Sequence, residues 1–429
     1  MEAFINFLDR YFMPVAGKIA EQRHLKALRD GIIATMPLLL IGSFFLIVAF
    51  PPIPYLAELV KPYVNDLLRI VNATFGIMAM VASFSIAYAL SSSYKLDALA
   101  SGILSLSAFM LAIPPTKDGN IASAWMGSKG LFVAMIIAII AVEIQRKFVE
   151  KNIIIKLPEG VPPKVSRAFA ALIPGFAILL VIWIVNMILQ RSVGLSIPDA
   201  IYKVIAIPLL KLGSSLPAVI LAILVAQLLW SVGIHGQAIV EAIMGAVWLT
   251  FAQQNAAAKA AGEAVLPNIV TLQFFQIFIQ IGGTGTTLAL ALLLIFATKS
   301  AQLKAIGKTA IWPGIFNINE PIIFGMPIVM NPIMIIPFIL APISTALITY
   351  FAMALNLVAR PYAVIPWTTP AFFSGFFTTG DWKAIILQLV NFAVAGLIYY
   401  PFLKLWDGMK VEEEKQLEEE QERLAESKI

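Results

Sequence analysis

Asn317, Asn319 and Glu320 are polar residues in an otherwise apolar run, Trp312-Pro-Gly-Ile-Phe-Asn-Ile-Asn-Glu-Pro-Ile-Ile-Phe-Gly-Met-Pro327. The prolines and glycines around them cannot continue one smooth helix. Broken backbone at membrane depth persists only where protein or a water-filled cavity surrounds it. An ionisable group at that depth is costly, so a substrate or ion site is the first reading. The alternative is a loop beside the bilayer. Two amides offer donors and acceptors to hydroxyl groups, and the carboxylate can take a proton.

Other residues of the second half could join that chemistry. His235 lies between glycines in Trp230-Ser-Val-Gly-Ile-His-Gly-Gln237. Glycines let backbone or substrate approach closely, and with Gln237 beside it the histidine reads as part of a polar pocket. The plainer reading is a histidine bonded to a neighbouring carbonyl. Glu241 falls on a different helical face and ranks below Glu320. Gly282-Gly-Thr-Gly-Thr-Thr287 lacks the lysine of a Walker loop. It reads as small residues for close helix approach, or as Thr284 and its neighbours facing a sugar or a phosphorylated product. Gln273, Gln276 and Gln280 form a stripe at helical spacing, either interhelical glue or pore lining. Trp230 and Trp367 can stack on a sugar ring, whereas membrane tryptophans, Trp312 and Trp382 included, more often form the interfacial belt.

The elements that must hold these groups follow from composition. The 429 residues are 60% hydrophobic and 13% charged, and mean hydropathy is +0.87. Soluble domains carry about 25% charged residues, so the chain reads as an all-α integral membrane protein. Helix-length apolar runs predict about ten transmembrane helices with both termini inside: 30–50, 73–91, 98–113, 130–144, 168–189, 216–234, 239–251, 285–298, 328–357 and 384–405. Re-entrant hairpins, with 311–327 the main candidate, and amphipathic interfacial helices over 1–29 and 197–214 complete the expected fold. The segment 253–262 reads as an outer loop. Residues 143–167 hold six basic side chains and several breakers, which places them in the cytoplasm with the N-terminus and 299–308. No cleavable leader is expected. The absence of cysteine excludes disulfides and thiolate chemistry on this chain. No metal site and no cofactor are expected, and the net charge of +5 reflects orientation signals rather than nucleic-acid binding.

Three domains are expected: an N-terminal membrane half (1–167), a C-terminal membrane half (168–406) and a charged cytoplasmic tail (407–429).

The Asn-Ile-Asn-Glu-Pro motif, the Gly-Ile-His-Gly segment, the Gly-Gly-Thr-Gly stretch and the basic N-terminus together resemble a membrane family. It is the enzyme II C component of the bacterial phosphoenolpyruvate-dependent sugar phosphotransferase system, in its lactose, cellobiose and N,N'-diacetylchitobiose group. The resemblance covers essentially the whole chain. It implies an inner-membrane homodimer joined through the N-terminal half, with one disaccharide per protomer in the C-terminal half and lipid around both. It also implies that the sugar is phosphorylated during entry by a cysteine of a B component, here a separate polypeptide. Phosphorylating a hydroxyl needs a group that accepts or orients its proton. Physics and resemblance together make Glu320 the candidate base and His235 its hydrogen-bonding companion, with burial expected to raise the Glu320 pKa. Asn317, Asn319, Gln237, Trp230, Trp367 and Thr284 are the candidate sugar contacts. The rival reading is a proton-coupled sugar transporter in which Glu320 and His235 relay protons.

Overall fold

The structure, a computed structural model, describes residue 18 and residues 22–426 apart from 52, 117, 159, 327 and 330. Most of the N-terminal interfacial segment expected from the sequence lies outside the described residues; a helix is present over Arg23–Ile33. Among the described residues the elements are helices, and the one strand-like pairing is an isolated bridge between Pro115 and Ile121.

Local chemistry explains where many helices begin. Asp97 accepts from the Ala100 amide, Ser215 from Ala218, Ser300 from Leu303, and Asn331 from Ile333 and Met334. Each side chain satisfies an amide that lacks an intrahelical acceptor. Ser196 and Asp199 close a reciprocal capping box. Pro217 and Pro332 stand in first turns, where a missing N–H costs nothing.

Among the described residues, six helices are long and apolar enough to cross a membrane: Arg23–Ala49, Tyr55–Ser93, Ser128–Glu150, Val165–Val193, Pro332–Ala354 and Lys383–Gln421. Ile197–Gly213 and Leu216–Ser231 supply a seventh if counted as one span. The other expected crossings take different forms. Ala98–Ala112 is apolar but short, and Leu288–Phe296 has only nine residues, against the ~20 that cross hydrocarbon. Bulky apolar side chains such as Phe176 and Leu397 are exposed, as lipid contact requires and water disfavours. The expected outer loop at 253–262 is instead mainly helix, the last turns of Gly236–Ala260. Its Gln-Gln-Asn-Ala-Ala-Ala-Lys-Ala sequence has the alanine propensity to continue a helix, and that outweighs its polarity.

Contacts group the described residues into two compact units, one within Lys18–Gly213 and Glu241–Gly262, the other within Ser214–Val240 and Glu263–Ile429. In the first unit, serines join helices: Ser83 meets Ser105 at 2.8 Å, and Ser101 donates to Gln145 at 2.6 Å. Glu143 accepts from Tyr94 (2.6 Å) and His24 (3.0 Å) on one oxygen and from Arg146 on the other. In the second unit, Trp230, Leu290, Leu294, Ile322, Phe338, Tyr399 and Leu403 belong to one buried cluster.

Candidate functional site

The second unit breaks its helices where the sequence is most polar. The Ala301–Ile315 helix, with Pro313 inside it, ends at Phe316. Asn317 then turns left-handed at φ +62°, a conformation asparagine tolerates better than most residues. The chain re-enters a short helix at Glu320–Gly325, with Pro321 in its first turn. The break is held by the asparagines. Asn317 is 8% exposed. It accepts from the Gly282 amide at 2.8 Å and donates to the carbonyls of Trp367 (2.6 Å) and Thr369 (3.2 Å). Asn319 donates to the Thr284 carbonyl at 2.6 Å and the Thr287 hydroxyl at 2.8 Å. Both side chains therefore splice three loops of the protein together, and both amide hydrogens of each are already committed to protein oxygens.

The Gly282–Thr287 loop fits that splice because it carries so little side chain. Gly283 has φ +96°, and a Cβ there would lie 2.5 Å from the Asn319 side chain. At Gly285, φ +80°, a Cβ would strike the Phe338 ring at 2.3 Å. Close approach is the reason for these glycines, and a Walker-like phosphate loop is not needed to explain them. The Thr284 hydroxyl meets the Gln227 amide at 3.1 Å, and Thr286 and Thr287 donate back to the Ile279 and Gly282 carbonyls. Upstream, Phe274–Ile279 is a π-helix. Its carbonyls are received by side chains of the last long helix: Gln388 donates to Ile277 and Asn391 to Phe278, both at 3.0 Å. Two glutamines of the stripe tie separate segments together, since Gln273 donates to the Ile365 carbonyl in a loop and Gln280 to Gln237.

His235 stands at the mouth of the break between Leu216–Ser231 and Gly236–Ala260. Its Nδ1 accepts from the Ala238 amide at 3.2 Å. A neutral imidazole accepting at Nδ1 must carry its proton on Nε2, so His235 offers an N–H donor on its exposed edge. The ring lies 4.4 Å from Trp230, which lies 6.4 Å from Phe324. Phe324 is one turn after Glu320 on the same short helix, so the two share a face. The Trp230 indole N–H is buried with no acceptor.

Contacts thus run from His235 through Trp230 and Phe324 to the Glu320 helix, and from there through Asn319 and the Gly282–Thr287 loop to Asn317 and Trp367. Glu320 is exposed rather than buried, because it opens a helix turn at the edge of the break. The asparagines are tied to protein carbonyls and hydroxyls before any ligand arrives. Trp312 and Trp382, 71% and 61% exposed, sit as belt residues do, while Trp367 is half-exposed beside the splice. Gln227, Gln388 and Asn391 belong to the same framework; single amides on apolar helices are the signal that marks them.

This fold and this polar break in apolar helices define a multi-helix membrane protein with an internal polar site. Residues 29–342 match the family described as "Phosphotransferase system, EIIC", and the chain belongs to that family. It is 52% identical to the "PTS system cellobiose-specific EIIC component" of Geobacillus stearothermophilus over 96% of each chain. It is 47% identical to the "Lichenan permease IIC component" of Bacillus subtilis, again over 96% of each. The lactose-specific EIICB component of Staphylococcus haemolyticus is 34% identical over 94% of this chain and 70% of its own length. The crystal structure of the transporter ChbC, the IIC component from the N,N'-diacetylchitobiose-specific phosphotransferase system, superposes with a TM-score of 0.92 at 50% identity. That match covers 95% of this chain and 99% of the other.

Proposed function

We propose that the chain carries a disaccharide of the cellobiose, N,N'-diacetylchitobiose or lactose type across the bacterial inner membrane while a partner B component phosphorylates it. The relatives' names support that sugar class, and the lactose-specific relatives that carry B within the same chain support the partner. The observation that carries the reading is an exposed carboxylate on the short helix whose Phe324 meets Trp230, the indole that also meets His235. Glu320 is free to approach a hydroxyl, and His235 is held so that Nε2–H points away from its own backbone.

In the transfer, the sugar hydroxyl oxygen attacks the phosphorus held on the partner's cysteine. The O–P bond forms, the P–S bond breaks, the hydroxyl proton passes to Glu320, and the thiolate stays with the partner. His235 and Trp230 orient the sugar, Gln237, Thr284 and Trp367 complete its surroundings, and Asn317 and Asn319 hold the loops that carry them. The sugar-bearing unit moves against a homodimeric scaffold formed by the N-terminal part of the chain. Uptake in vesicles tests this reading. Accumulation of sugar phosphate that requires the phosphorylated partner is expected; accumulation of free sugar driven by a pH gradient would replace it with proton coupling.

A further inference from the structure

One turn of the last long helix reaches the hairpin that carries the site. Leu288–Phe296 and Ala301–Ile315 are joined through Ala297–Ser300. Their far ends carry Gly282–Thr287 and Phe316–Glu320. At the near end, Lys404 donates to the carbonyl of Ala297, the residue that ends the first helix. Three residues on, Asp407 accepts from the amides of Lys299 and Ser300 at 2.9 Å. Glu414 takes the Ser300 hydroxyl at 2.6 Å and the amides of Ala301 (3.1 Å) and Gln302 (2.9 Å). The Ser300 side chain receives Leu303. Five consecutive amides, Lys299 to Leu303, are therefore met by side chains. The cation stands at a helix C-terminus and the anions at an N-terminus, each matching the local dipole. Asp407 is 4% exposed, so its charge is not simply a solvated one.

We infer that Lys404 and Asp407, aided by Glu414, are positioning residues that set the angle of this hairpin and so align Glu320 with the His235 side of the site; the catalytic half of this inference rests on the function proposed above. The Ala301–Ile315 helix has 15 residues, about 22 Å of stiff rod. A tilt of about 5° at its pinned end moves the Asn317–Glu320 end by about 2 Å, and about 1 Å of misplacement can cost about 100-fold in rate.

The chain has no cysteine, so spin labels at Leu221→Cys and Trp312→Cys, both exposed, report the hairpin against the Leu216–Ser231 helix. With Asp407→Ala the distance distribution should shift or broaden by about 2 Å, and kcat for sugar phosphorylation should fall about tenfold or more while KM stays within about threefold. If buried Asp407 cannot be removed without losing the fold, Glu414→Gln, half-buried, serves instead and should give a smaller change of the same kind. An unchanged distance, or unchanged kcat per folded transporter, overturns the inference. The distance is read without catalysis. A wild-type chain that phosphorylates no sugar would sink the proposed function and leave the distance to decide the clamp.

Discussion

The side-chain oxygen of Asn317 accepts the backbone amide of Gly282 at 2.8 Å, binding two motifs that lie 35 residues apart. The same amide's nitrogen holds the carbonyls of Trp367 and Thr369. Asn317→Asp keeps the shape but turns an acceptor toward those two carbonyls, leaving buried groups unpaired at about 1–3 kcal/mol. Sugar affinity measured by calorimetry and the unfolding midpoint should both fall. Wild-type values for the two together would show that the splice is dispensable.

Glu320→Gln should keep most sugar binding and lose coupled phosphorylation, because the amide preserves shape but cannot take the proton. His235→Ala should weaken binding instead, since it removes the fixed Nε2–H donor. Phosphorylation at the wild-type rate in Glu320→Gln would remove the carboxylate from the chemistry.

Gly283→Ala places a methyl group 2.5 Å from the Asn319 side chain at φ +96°. The expected loss is about 2 kcal/mol or more, from strain and from opening the Asn319 bonds. A thermal unfolding series including Gly262→Ala, where nothing lies within 4 Å at φ +80°, separates backbone strain from lost packing. Equal losses at both positions would mean that contact with Asn319 contributes nothing.

What could be read from the sequence, and what could not, follows from the range of the forces involved. Prolines, glycines and a carboxylate within 16 residues locate the break at Asn317–Glu320, because backbone incompatibility is local. The jobs of Asn317 and Asn319 were not visible. Their partners are backbone carbonyls and a hydroxyl 32 to 52 positions away, and a carbonyl leaves no mark in a sequence. The exposure of Glu320 likewise depends on which elements stop short of it. Ten crossings were counted by hydropathy, but apolar stretches such as Leu288–Phe296 are long enough to be buried without being long enough to span. Asp407 and Glu414 read as parts of a charged tail because the amides they serve belong to another helix.

Sidedness is testable directly in this cysteine-free chain. Both termini, the Glu143–Arg167 segment and Lys299–Lys308 should face the cytoplasm, where their basic residues resist translocation. The bond from the Lys299 amide to Asp407 already puts two of these segments together. A cysteine at Lys156 should be labelled only from inside; labelling from outside intact cells would reverse the arrangement.

Docking of the phosphorylated partner should depend on Lys304 and Lys308, since rim cations mainly accelerate encounter with a negatively charged protein. Arg146, in the Glu143–Arg167 segment, is already bonded to Glu143 and Glu150, which makes it a weaker platform. Replacing both lysines with Gln should slow phosphorylation and flatten its salt dependence while free-sugar binding is retained. An unchanged salt-dependent rate would move docking to the Glu143–Arg167 segment.

The nine residues of Leu288–Phe296 set a distance as well as a fold. At about 1.5 Å per residue that helix is about 13 Å long, less than half of a hydrocarbon layer about 30 Å thick. With Lys299–Lys308 at the cytoplasmic face and the partner donor proposed above, the Thr284 loop at its far end would lie about 13 Å below that face, out of reach of a phosphocysteine that stays in the aqueous phase. Either the donor must intrude by roughly the length of that helix, or the loop must travel a comparable distance toward it. The nine-residue helix beside the site thus sets the stroke that the proposed cycle of transport and phosphorylation has to complete.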